Sequence, residues 1–530
     1  MSDLPAAKAL DPAIDEILAL SRLLGTRPDA QALSLMAGRP GTDPRESARL
    51  LAQASEILQS ERHSFFDARR RGTVMEGSTD IPLTLAMQYL SLHMEAEAFD
   101  AFESVRSRGL GELNQVLDRS DTTDETRRWL ASVLALDARA SRIETQLVER
   151  VSATGDPALV FDKIDELQAI RQERESLIGQ GGNDIARLRA ATYQPAHLAD
   201  LETATRQAGV PVMLYWSNTT SLVAWYVGPH GSEVRNIFLP AAVLQDAARK
   251  IRNSVSEDPS SVGKPFDDVT ARELYLFLIA PFERLLDGSQ IIIVPEGPLV
   301  DLPFETLLMA GSDRPLIERW AVSYAPNATL ALRALREPLR PPSKIDAVID
   351  PDIDNRTKES AALRSALGPR LREVSFDSMI TPNAATTGID GRTGIHLLLH
   401  GRFDPIEPLL SELSNESRTR SITAAGFVAL PLGRVPVAVL SGCETGQVGV
   451  RLSNEIYGFP WALLAGGVDS AVVSRWQVLG TSNEAWMRLF YSAVMGGQSP
   501  AQAGASAMRG LRAAGQPHPY YWAAMQITGR

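Results

Sequence analysis

With 530 residues, the chain exceeds what one hydrophobic core organises, so several domains are expected. A net charge of −11 argues against a general binder of nucleic acid or of a membrane surface, both of which need a basic footprint. A single cysteine excludes an internal disulfide and a cysteine-based zinc site. The first residues lack a basic segment followed by an unbroken apolar one, and no window holds about 18 consecutive apolar residues. The expected setting is therefore cytoplasmic, without secretion or membrane insertion.

Residues 12 to about 190 read as consecutive helices. "DPRESARLLAQASEILQSERHSFF" places Leu50, Leu51, Ala54 and Leu58 on one face, and a later segment does the same with Leu85, Tyr89, Leu92, Phe99, Phe102 and Val105. Ile164, Leu167, Ile170 and Leu177 form a seam between charged residues. The pattern changes after Tyr193. "VPVMLYWSNTTSLVAWYVG" is two β-rich runs about a polar turn, a hairpin signal. Helices are expected at 241–255 and 268–286. The apolar run before Pro295 and Gly297 reads as a buried parallel strand. "WAVSYAP" is a further strand, followed by a helix at 328–336 and the proline-rich linker "REPLRPPS".

Beyond the linker, strands are expected at 344–349, 394–399, 435–440 and 469–475. Helices are expected at 357–368, 453–465, 482–495 and 499–513. Such alternation predicts a layered α/β domain with a mostly parallel sheet. In such sheets, reactive side chains collect just past the C-terminal ends of the strands. "GIHLLLHGRF" delivers His400 and Gly401 there, and "VPVAVLSGCETG" delivers Ser441, Gly442 and Cys443. If the two strands are neighbours, imidazole and thiol emerge at one edge. Taken alone, Cys443 reads first as a buried space-filler, the commonest role of free cysteine.

"HLLLHG" followed by "VLSGCETG" resembles the CHAT family of caspase-like cysteine peptidases, relatives of caspases and separases. The resemblance extends through "PEGPLVDLPFETL", "GFPWALLAGGVDSAVVSRWQV" and "HPYYWAAMQITG", covering about residues 200–530. The helical segment before it resembles the TPR-type region that often precedes this domain. The implied fold is α plus α/β: an all-helical region at 1–190, then a three-layer α/β/α sandwich. The sandwich is divided into a non-catalytic half at 191–340 and a catalytic half at 341–530.

The implied activity is peptide-bond hydrolysis through a thioester, with Cys443 as nucleophile and His400 as general base. The backbone N–H groups of Gly401 and Cys443 would face the oxyanion. No cofactor or metal is implied. The expected partners are a protein substrate and a regulatory protein docking on the N-terminal helices. The alternative is a catalytically silent scaffold with the same fold.

The remaining candidates are weaker. Glu444 and Asp469 are the acidic residues expected near a substrate pocket, with Arg475 beside them, and Trp476 is expected to wall a substrate groove. His396 precedes His400 by four residues, so strand periodicity puts both on one face, where packing is the expected role of His396. A metal site built on these two histidines lacks an acidic partner in the sequence nearby. Glu296, Asp301 and Glu305 are read as structural. The polar loop at 414–421 is read as an inert insertion, with autoprocessing as its alternative.

Overall fold

The expected hairpin forms from Val212–Ser217 (β1) and Leu222–Gly228 (β2), paired antiparallel, and Gly231–Ile237 (β3) adds an outer strand. The turn is closed by Asn218, whose side-chain oxygen accepts from the backbone N–H groups of Thr220 and Ser221. The computed structural model describes residues 30–63, 80–106, 110, 113–114, 117, 122–154, 161–182, 195–380, 391–433, 435–442, 445, 449–450, 456–477 and 480–529.

Gln290–Val294 (β4) and Ala321–Tyr324 (β5) extend the sheet in parallel with β1. Past the linker come Lys344–Ile349 (β6), Leu371–Glu373 (β7) and Thr393–Leu398 (β8). His400–Arg402 (β9), Glu412–Ser414 (β10) and Ser421–Thr423 (β11) form a separate three-stranded antiparallel sheet. Ala438–Leu440 (β12) returns to the main sheet, Gly449–Val450 (β13) and Ile456–Tyr457 (β14) make a two-stranded ribbon, and Ser470–Ser474 (β15) and Met525–Gly529 (β16) complete the main sheet.

Among the described residues the main sheet has eleven strands in the order β3-β2-β1-β4-β5-β16-β15-β12-β8-β6-β7. β16 runs parallel to β5 but antiparallel to β15, whereas β15, β12, β8, β6 and β7 are mutually parallel. The sheet therefore contains two parallel sets of opposite direction, β1-β4-β5-β16 and β15-β12-β8-β6-β7, with the antiparallel β2 and β3 added at the outer edge of the first. The C-terminal strand ends of the two sets lie on opposite edges, a consequence that decides where each candidate residue sits.

Strand residues alternate between two helical layers. Met213 and Tyr215 face a layer containing the helices Ala241–Val255 and Asp268–Leu278; Val439 and Val472 face its continuation under Gly480–Met495 and Pro500–Ala513. On the other side, Val212, Leu214 and Trp216 pack against Phe99, Phe102 and the other N-terminal helices. Phe102 stacks on Trp216 with ring centroids 4.6 Å apart, and Phe99 meets Trp225 edge-on at 5.4 Å.

Arg106 inserts fully into this contact. It donates to the carbonyl oxygens of Tyr215 and Val294, stacks 4.1 Å over Trp216 and pairs with the buried Glu103. Glu103 in turn accepts from the N–H of Ala328, at the start of helix Ala328–Arg336. The long helix Asp124–Thr154 covers the half of the sheet that follows the linker, with Leu130, Ala131 and Ala138 in one core with Leu409, Leu413 and Phe427. The N-terminal helices thus supply much of one layer of the sandwich, sharing its core. No helix among the described residues is long and apolar enough to cross a membrane.

Candidate active site

β8 and β12 are adjacent and parallel, with Val439 opposite His396 and Leu440 opposite Leu397. Ser441 prolongs the ladder by one residue, donating its N–H to the Leu397 carbonyl at 2.8 Å. Gly442 then meets the chain leaving β8. A Cβ at Gly442 would lie 2.6 Å from the Leu399 carbonyl oxygen and 3.3 Å from the Gly401 nitrogen. The Ser441–Gly442 step and the His400–Gly401 step are therefore in backbone contact, and only glycine permits it. Cys443 and Glu444 lie outside the described residues. The chain beyond them is anchored by Thr445, whose hydroxyl donates to the Leu440 carbonyl at 2.9 Å and accepts from the Ser474 N–H at 3.0 Å.

His396 and His400 do not share a face. β8 ends at Leu398, and His400 opens β9 in the small antiparallel sheet, so the two-residue period does not carry across. His396 is wholly buried, whereas His400 is part-exposed. His400 Nε2 lies against the carboxylate of Glu416, in the tight turn between β10 and β11. The turn is closed on itself: Asn415 donates its N–H to the Arg420 carbonyl, and its side-chain amide donates to Ser417 and Thr419.

Asp350, at the end of β6, fixes this turn to the sheet. One carboxylate oxygen caps helix Pro351–Thr357 through the N–H groups of Asp352 and Ile353, and the other accepts from the Glu416 N–H at 3.0 Å. One ligand atom each from Asp350, His400 and Glu416 lies within 4.8 Å of the others, a spacing a cation could use. Asp350 is already committed to three backbone donors, and the arrangement is complete as an anchor for Glu416. Both histidines therefore have acidic partners that the sequence did not reveal, Glu416 for His400 and Glu359 for His396.

Residues 268–530 match the CHAT domain family. The chain carries a CHAT domain. The match begins at residue 268 and does not extend over the N-terminal helices. Two crystal structures of the Saccharomyces cerevisiae separase–securin complex, at 2.6 and 3.0 Å resolution, align with the chain. They do so at 10% and 9% identity, with TM-scores of 0.41 and 0.40, covering 99% of this chain and 48% of theirs. The chain thus spans about half the length of those proteins. No curated protein matches the sequence.

Within the CHAT domain, two pocket candidates fall elsewhere. Asp469 precedes β15 and donates its N–H to the Val435 carbonyl at the N-terminal end of β12, so it lies on the edge opposite His400. There it makes a two-pronged ion pair with Arg340 of the linker, at 2.6 and 3.1 Å. Burial raises its carboxyl above the ordinary range, and Arg340 opposes that shift. Trp476 is a core residue, 4% exposed, with its indole N–H donating to the Tyr520 carbonyl at 3.1 Å.

Arg475 is also buried. It stacks over Tyr324 and pairs with Glu305 at 3.3 Å, clamping β15 to the first half of the domain. Glu305 and Glu296 are structural, as expected; Glu296 is held by the N–H and hydroxyl of Ser217, both at 2.8 Å.

Proposed function

We propose that the protein is a cysteine endopeptidase in which Cys443 is the nucleophile and His400 the general base. One observation carries this reading: Gly442, covalently next to Cys443, is packed against the Leu399–Gly401 backbone at the C-terminal edge of two neighbouring parallel strands. The Cys443 thiol would attack a peptide carbonyl carbon as His400 takes its proton. The N–H groups of Gly401 and Cys443 would hold the oxyanion, each such donor contributing about 3–4 kcal/mol. Collapse to a thioester expels the amine, which takes the proton from His400; water then attacks the thioester and restores the thiol. Glu416, on the Nε2 side of the imidazole, would fix its orientation, the role of the third group in such arrangements.

A regulatory partner would act through the N-terminal helices. Helix Asp124–Thr154 supports that idea because Arg142 pairs at 3.0 Å with Asp404, whose carboxylate organises the turn after β9 through the N–H groups of Ile406 and Glu407. A partner shifting this helix would pull on the segment bearing His400.

The test is labelling of the full-length protein with a set of peptidyl acyloxymethyl ketones that differ in the residue before the reactive group, followed by hydrolysis of the matching fluorogenic peptides. Labelling confined to Cys443, with hydrolysis lost in Cys443→Ala and reduced about 100-fold or more in His400→Ala, is the expected result. Hydrolysis surviving Cys443→Ala would overturn the assignment. Folded protein that neither labels nor hydrolyses, alone or with a bound partner, would favour the scaffold alternative.

A further inference from the structure

Beneath the Ser441–Gly442 step lies a polar cluster closed off from solvent. Glu359, the first residue of helix Glu359–Leu367, and His396 on β8 are each 0% exposed. His396 Nε2 is 3.0 Å from one Glu359 carboxylate oxygen. The other oxygen accepts from the Ser441 hydroxyl and the Asn483 amide, both at 2.7 Å. Tyr491, on the same helix as Asn483, places its hydroxyl 2.8 Å from His396 Nδ1. Burial, with the charge of Glu359 adding to it, raises the Tyr491 phenol well above its ordinary value, so the hydroxyl stays neutral.

Stability alone is a poor explanation for such a cluster. Apolar residues of similar volume usually serve a core as well as a buried ion pair does. The connectivity suggests more. Glu359, His396, Asn483 and Tyr491 belong to regular elements, while Ser441 is the single member on the loop, two residues before Cys443. Ser441 is held twice, by its N–H on the Leu397 carbonyl and by its hydroxyl on Glu359. Thr445 ties the chain down on the far side of Cys443 and Glu444. The segment is thus fixed before and after the nucleophile, and before it the fixed point is a buried carboxylate.

We propose that Glu359, backed by His396 and Asn483, is a positioning residue that sets where the chain leaves β12 and so where Cys443 is presented to His400. This rests on the peptidase reading above. Glu359 itself is walled off from substrate and exchanges no proton with it.

Three variants test this in the full-length protein: Ser441→Ala, Glu359→Ala and the neutral isostere Glu359→Gln, which can still accept from Ser441. The readouts are the rate of iodoacetamide alkylation of the lone thiol, the melting temperature, and kcat and KM on the peptide found by labelling. Ser441→Ala severs only the loop's link to the cluster. It should lower alkylation and kcat by about tenfold or more, with KM little changed. The melting temperature should stay within about 3 °C of wild type. Glu359→Ala should lose at least as much, and Glu359→Gln should recover most of the rate.

Ser441→Ala alkylating at the wild-type rate would overturn the proposal. So would a loss that tracks a large fall in melting temperature, with Glu359→Gln no better than Glu359→Ala, because the cluster would then be ordinary core. The underlying dyad is judged separately, on otherwise wild-type protein: if His400→Ala alkylates as fast as wild type, the peptidase reading fails, whatever Ser441 does.

Discussion

Gly442→Ala probes the contact on which the functional reading stands. The new Cβ would sit 2.6 Å from the Leu399 carbonyl oxygen. Ordinary carbon–oxygen contact begins near about 3.3 Å, so one backbone must move by about 0.7 Å. Both partners are main chain, held by β8 and β12, and no flexible side chain can swing away. The strain should cost about 1–3 kcal/mol, the usual penalty of overpacking. In a protein of this size that lowers the melting temperature by only a few degrees, about 1 °C per kcal/mol when the unfolding entropy is scaled to its length.

The effect on rate should be larger. A displacement approaching 1 Å between reacting groups costs about 100-fold, equivalent to about 2.7 kcal/mol of barrier. The assay is kcat/KM on a fluorogenic peptide alongside scanning calorimetry. Gly433→Ala serves as control, since a Cβ there meets nothing within 4 Å. A Gly442→Ala enzyme that keeps its melting temperature and its kcat/KM would refute the argument that the two loop steps are held in functional register.

Further outcomes follow from the same geometry. Glu416→Ala should lower kcat about tenfold with KM little changed and Glu416→Gln partly restoring it; a faster enzyme would mean that Glu416 restrains His400 instead of orienting it. Phe102→Ala should cost about 3–5 kcal/mol in urea unfolding, and removal of residues 1–190 should yield insoluble protein, because the apolar face of β1, β2 and β4 loses its cover. Asp469→Asn should leave peptide preference unchanged, as measured on a peptide library, since the residue lies on the far edge and pairs with Arg340. Glu296→Gln reports on pH. Burial raises the Glu296 carboxyl above its ordinary 4.5, with Ser217 and Arg106 opposing, so the folded state binds the proton more tightly than the unfolded one. Its contribution to stability is full below 4.5 and lost as pH rises through the raised value. The melting temperature of wild type relative to Glu296→Gln should therefore fall across that window, and a difference flat with pH would contradict the burial argument.

Local pattern carried a great deal. The helices 241–255 and 328–336 and the strand 344–349 match their expected bounds, because amphipathic period, proline and glycine mark these boundaries within a few residues. The same is true of the two chemical steps. His400–Gly401 and Ser441–Gly442 were legible as strand-end residues, and their family pattern identified the domain. The small sheet β9–β11 was not legible. Its three strands are short, and its existence separates His400 from the face that periodicity assigned to it.

Asp469 shows why the remainder needed the folded chain. Its place in the sequence, on the strand after the Cys443 segment, suggested nearness to the site. Its position at the start of a strand parallel to β12 put it a full strand length away. Trp476, equally, reads as a groove wall or as core until its neighbours are known. Glu359 and Glu416 carry no motif; they meet the histidines through pairings between distant segments.

The sequence by itself determined the alternation of elements, the strand ends at which His400 and Ser441 stand, and the glycine beside each loop's turn. Tertiary structure decided the strand order, the reversal between β15 and β16, the shared core under the N-terminal helices and the acidic partners of His396 and His400. The division follows from range: propensity and periodicity act over a few residues, whereas sheet order, burial and ion pairing arise only where segments far apart in the chain meet.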